Sequence, residues 1–138
     1  MPRHASEEAV RYGTPVDWCR VYRLLSHWEP TEKTLVFIEK VHAFSGQGVS
    51  STFKFGANYG GLLGILGAMN VQYQLVVPRT WKKVVLGTDF DHGKEGTIDF
   101  LRMNYPTVNL LATSRSRKPH DGMADALAIA HYGIKKQA

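Results

Sequence analysis

The chain has 138 residues, 43% hydrophobic and 21% charged, a balance that suits one globular domain with a real core and not a disordered tract. Its formal charge of +5 and pI near 9.4 point toward polyanionic partners. One cysteine, Cys19, excludes an intramolecular disulfide and a cysteine-built zinc site, and is expected to be a small core residue of a cytoplasmic protein.

Residues 62–69 form the longest apolar stretch, but Gly64 and Gly67 interrupt it and it falls far short of a membrane span. Arg3, His4, Glu7 and Glu8 stand where a signal peptide would need an apolar core. A single domain over 1–138, with its core at about 17–133, is therefore expected.

In chain order, Asp17 caps a predicted helix running to about Trp28, with Val21, Leu24, Leu25 and Trp28 on one side and Glu29-Pro30 at its end. The run Thr34-Leu35-Val36-Phe37-Ile38, branched and aromatic, predicts a strand over 35–39 buried on both faces, with Glu39 at its carboxyl end. Open α/β sheets place ligands at that end, although a solvated Glu39 paired with Lys33 or Lys40 is equally consistent with the residues alone. A polar, glycine-containing loop over 40–48 follows.

A helix is predicted from about Ser50 to Met69. Gly56, Gly60 and Gly64 recur in it every four residues, each costing up to ~1 kcal/mol against Ala, so a stripe of close backbone approach is expected, within the chain or between subunits. Val71 to Val77 reads as a second buried strand ended by Pro78. A short helix opening at Arg79 or Thr80 carries Trp81 and Val85, and another runs from about His92 to Asn104. The basic loop from Ala112 to Pro119 then leads into the last helix, which Gly133 is expected to close.

That last helix carries the most informative residues, His120-Asp121-Gly122-Met123-Ala124-Asp125-Ala126-Leu127-Ala128-Ile129-Ala130. Asp121 and Asp125 lie at i and i+4, so they share one helical face and repel. The small apolar residues around Asp125 predict a helix buried on most sides, where an unpaired carboxylate is costly. Such acids need a basic partner, a proton, or a cleft where a hard cation such as magnesium takes their oxygens. For Asp121, at the helix start, a simple N-cap role is the alternative.

Together, the strand ending in Glu-Lys-Val-His-Ala, then Ser-Gly-Gln-Gly-Val-Ser-Ser, Phe-Gly, Val-Val-Pro-Arg-Thr-Trp-Lys-Lys and the closing His-Asp-Gly-Met-Ala-Asp-Ala-Leu-Ala-Ile-Ala-His-Tyr-Gly resemble the RuvC-like Holliday junction resolvases, nearest to the phage and prophage branch. The resemblance runs from about Asp17 to Gly133. It implies an α/β, RNase H-like fold and a homodimer that resolves four-way or other branched DNA in recombination, repair or phage DNA processing.

It further implies Mg2+, or Mn2+ in its place, held by Glu39, Asp121 and Asp125, with His120 as an auxiliary residue and no small-molecule cofactor or membrane partner. Asp121 is the looser match, because bacterial resolvases carry that acid three residues before the second one, where this chain has Gly122. Lys82, Lys83, Lys94 and Lys118 are the implied DNA-binding lysines, and His42 and Phe44 occupy the loop where such enzymes stack an aromatic residue on an unpaired base.

One departure stands out. Such enzymes begin with a strand bearing Asp-Pro-Gly, whose Asp is a metal ligand, and two further strands, whereas this chain opens Met1-Pro2-Arg3. An N-terminally shortened domain is expected, with an incomplete sheet and an exposed edge on strand 35–39. The alternative function is accordingly a non-catalytic junction-binding dimer, or a truncated and inactive form of such an enzyme.

Overall fold

The computed structural model describes residues 16–43 and 45–138. Phe44 and the chain before Val16 lie outside the described residues, so the base-stacking expectation for Phe44 stays with the sequence. The elements, in order, are α1 (Trp18–His27), β1 (Leu35–Glu39), α2 (Val49–Ala68), β2 (Gln72–Val76), α3 (Pro78–Leu86), α4 (Lys94–Asn104) and α5 (Asp121–Gln137). They fall into two compact units.

The described part of the first unit holds α1 and α2. Asp17 caps α1 as expected, its Oδ1 accepting the Arg20 N–H at 3.0 Å. No residue of α1 is fully buried, and Leu24 and Trp28 are 53% and 72% exposed. Cys19 is exposed as well, which corrects the core role expected of it: it sits on a helix that buries none of its residues.

Within the chain, the close approach expected along Gly56, Gly60 and Gly64 occurs at Gly61 instead. A Cβ at those three positions would meet nothing within 4 Å, whereas one at Gly61 would fall 2.3 Å from the Trp18 ring. The spacing picked out one helix face; the indole of α1 lies against another.

The second unit comprises Leu35–His42 and Tyr73–Ala138. Among the described residues its sheet has two parallel strands, β1 and β2, and Lys40 N–H donates to the Val76 carbonyl at 2.7 Å just beyond β1. Both strands are less buried than their apolar runs predicted. Every residue of β1 is half-buried, and β2 is exposed except for Val76. Burial of a parallel strand needs cover on both faces, and only the carboxyl end of β2 reaches the core.

That core is made by α3, α4 and α5, with Trp81, Leu86, Leu101 and Ala128 almost wholly shielded. α3 opens one or two residues earlier than predicted because Pro78 takes the first helical position, where its missing N–H costs nothing. α4 starts at Lys94, after a turn in which Asp91 Oδ2 accepts the Gly93 N–H at 2.7 Å.

α5 departs from expectation in two ways. It buries one stripe, Ala124, Ala128, Ile129, Tyr132 and Gly133, and leaves Ala126 and Ala130 exposed, so it is amphipathic and not enclosed on most sides. It also continues through Gly133 to Gln137. Gly133 is a contact point with β1, since a Cβ there would stand 2.6 Å from the Phe37 ring, which also meets Tyr132 edge-on at 5.8 Å. A second tie joins α5 to the end of α4, where the Tyr105 hydroxyl lies 2.6 Å from His131 Nδ1. Burial, and secondarily the charge of Lys135, holds the His131 imidazole below its ordinary pKa and so favours the neutral ring that can accept this bond.

Candidate functional site

Packing of β1 against α5 decides where the acids go. Glu39 stands at the carboxyl end of β1, half-buried, and its Oε1 accepts a 2.9 Å hydrogen bond from Trp81 Nε1 of α3. Neither Lys33 nor Lys40 is the partner that holds it. Nothing in the motif singled out Trp81; the available signal was an indole on a short helix whose N–H, once buried, requires an acceptor.

Asp121 is the first residue of α5, and the cap before it is His120, whose Nδ1 accepts the Met123 N–H at 3.3 Å. This corrects the N-cap role considered for Asp121 and gives His120 a structural task. Asp121 instead pairs with the ammonium of Lys94, the first residue of α4. The hydrogen bond and the charge of Asp121 both raise the Lys94 pKa.

Asp125 lies one turn further along α5 and is half-buried. Its carboxyl is pushed above the ordinary aspartate range, first by burial and next by the negative charge of Glu39, with a smaller contribution from Asp121. Lys82 and Lys94 pull it back down. Asp125 therefore feels Glu39, Asp121, Lys82 and Lys94 at once, and one strand end and three helices contribute to a single mixed-charge patch.

Lys82 is held in that patch by the backbone: its Nζ donates to the His92 carbonyl at 2.9 Å and lies 5.5 Å from the centre of the Trp81 ring. His92 Nε2 in turn lies 2.8 Å from the Gly87 carbonyl, closing the loop between α3 and α4. Lys83 and Lys118 are exposed and are not among the charges that shift Asp125. His42 is exposed in the segment after β1.

The donor set is chemically suited to a hard divalent cation, being all carboxylate oxygen. Among the described residues, no three histidine, cysteine or acidic groups stand close enough to make a ready-built metal cage. The fit is to a smaller site. Glu39 and Asp125 are close enough to repel, and magnesium is commonly held by one or two carboxylates, with waters and substrate phosphate completing its shell. Asp121, as placed, has Lys94 as its cation.

No protein-family model matches the chain, and no curated protein sequence matches it. Solved structures do. A Thermus thermophilus RuvC structure superposes with a TM-score of 0.59 at 20% identity, covering 99% of this chain and 72% of that one. T. thermophilus RuvC in complex with Holliday junction substrate gives the same score and identity, over 96% of this chain and 71% of that one. At that identity the likeness speaks to architecture, and it places this chain among α/β proteins of RuvC-like, RNase H-like fold.

Proposed function

We propose that this chain binds four-way DNA junctions and cuts them as a divalent-metal-dependent endonuclease. The observation that carries the reading is the convergence of Glu39 from β1 and Asp121 and Asp125 from α5 with Lys82 of α3 and Lys94 of α4. Repelling carboxylates beside lysines suit a cation and a phosphate brought together. The RuvC-like fold supports the same class, and the RuvC of T. thermophilus is itself seen with a Holliday junction.

In this reading Glu39 and Asp125 hold Mg2+ or Mn2+, which when bound supplies Lewis-acid activation of water and phosphate. Lys82 and Lys94 draw the phosphate backbone onto the acids, and Lys83 and Lys118 extend the contact without reading sequence. Two copies acting together match the two-fold symmetry of a four-way junction. The ion pair between Lys94 and Asp121 favours a second reading, in which the acids are internally compensated and the chain binds junctions without cutting them.

Incubating labelled four-way junction and linear duplex with Mg2+ or Mn2+ separates these. Cleavage selective for the junction is expected, reduced by roughly 100-fold or more in Glu39→Gln and Asp125→Asn as metal ligands are lost, with DNA binding retained. Junction binding without cutting by the unaltered chain would establish the second reading. Absence of both would overturn the two together.

A further inference from the structure

We infer that Trp81 is a positioning residue for Glu39: its buried indole N–H holds one carboxylate oxygen in place and leaves the charge and the second oxygen to a cation. The inference rests on the proposed metal role of Glu39, but the contact itself is a feature of the fold. Trp81 is 0% exposed and belongs to the core cluster with Val85, Leu86 and Leu101, so packing fixes its ring. A ring so held is a rigid donor. Its N–H has no access to water, and the acceptor is Glu39 Oε1 at 2.9 Å, 42 residues away in the chain.

The chemistry of this donor matters. A lysine or arginine in its place would orient Glu39 but also neutralise it, as Lys94 does for Asp121. An indole N–H is neutral, so it orders the carboxylate at no cost in negative charge. A glutamate side chain loses substantial rotamer freedom when it binds a metal, and a ligand already held forfeits less.

The same ring also bears on the cation side of the patch. Lys82, the next residue, places its Nζ 5.5 Å from the Trp81 ring centre while bonding to the His92 carbonyl. Trp81 therefore touches both the acid it orients and the lysine whose charge acts on Asp125. A tryptophan serving only to fill the core would need an acceptor but would leave Glu39 just as ordered without the bond.

The test replaces Trp81 with phenylalanine and, in a second variant, with 3-benzothienylalanine, which keeps the bicyclic volume and exchanges the N–H for sulfur. Two quantities are read. The first is the order of the Glu39 side chain in metal-free protein, from 13C relaxation of its methylenes. The second is Mn2+ affinity by calorimetry, with Glu39→Gln as the blank.

The expected result is a benzothienyl variant that melts near the unaltered protein, with a more mobile Glu39 and Mn2+ binding weakened roughly 10-fold, the range for loss of a partner that orients a metal ligand. Unchanged Glu39 order in the benzothienyl variant would overturn the inference, whatever the metal does. Increased Glu39 mobility in a protein that shows no Glu39-dependent Mn2+ binding would uphold the positioning role and overturn the metal reading. If Trp81→Phe fails to fold, the benzothienyl variant decides.

Discussion

Asp125 is pressed from two sides, by burial and the charges of Glu39 and Asp121, and relieved by Lys82 and Lys94. Its carboxyl therefore keeps a proton to higher pH in the folded chain than in the unfolded one. Between the ordinary aspartate value and the raised one, the folded state binds more protons, so the stability contributed by protonated Asp125 is present at low pH and lost as pH rises through the raised value. Asp125→Asn cannot ionise and keeps much of the shape. In metal-free buffer it should melt above the unaltered chain at pH 7, with the difference shrinking as pH falls from the raised value to the ordinary aspartate value and gone below it. Thermal melts across that range check this, and equal melting points at pH 7 would mean that Lys82 and Lys94 fully offset the repulsion.

The packing of β1 against α5 brings Glu39 toward the acids of that helix, and Gly133 is a point where the Phe37 ring of β1 lies close against the helix. Helix propensity and packing make opposite predictions there. Alanine is favoured over glycine in a helix interior by up to ~1 kcal/mol, yet its Cβ would stand 2.6 Å from the ring atoms of Phe37. Overpacking of a filled core costs about 1–3 kcal/mol, so packing should win. Gly133→Ala is expected to lower the urea midpoint, and a raised midpoint would show that the Phe37 ring gives way. The same substitution at Gly56, which faces open space, should raise stability by propensity alone.

Over the whole molecule, the formal charge of +5 would act on the proposed DNA partner only through those cations that reach it. Lys94 is exposed and paired with Asp121, and an exposed ion pair adds little to stability. Lys94→Gln should leave the melting temperature unchanged, weaken junction binding, and reduce the slope of log K against log salt by about one. An unchanged slope would restrict Lys94 to balancing Asp121. No helix among the described residues is long and apolar enough to cross a membrane.

Much of this architecture is written locally. The Asp17 cap, the strand over Leu35–Glu39, the extent of α2 and the placing of Asp121 and Asp125 on one helix follow from capping chemistry, branched runs and helical spacing, all of which act over a few residues. The resemblance of the closing motif led to the RuvC-like fold for the same reason, because it rests on contiguous residues. What the chain order left open depends on contacts made across long separations. Gly133 looked like a helix end until Phe37 lay against it; the glycine stripe looked like a place where two helices of the chain could meet until Trp18 lay against Gly61. Glu39 looked free to pair with a neighbouring lysine until Trp81, 42 residues on, supplied its N–H. Local preference selects each element, but which faces meet is settled by burying apolar surface and satisfying each shielded polar group, and both are properties of the folded chain.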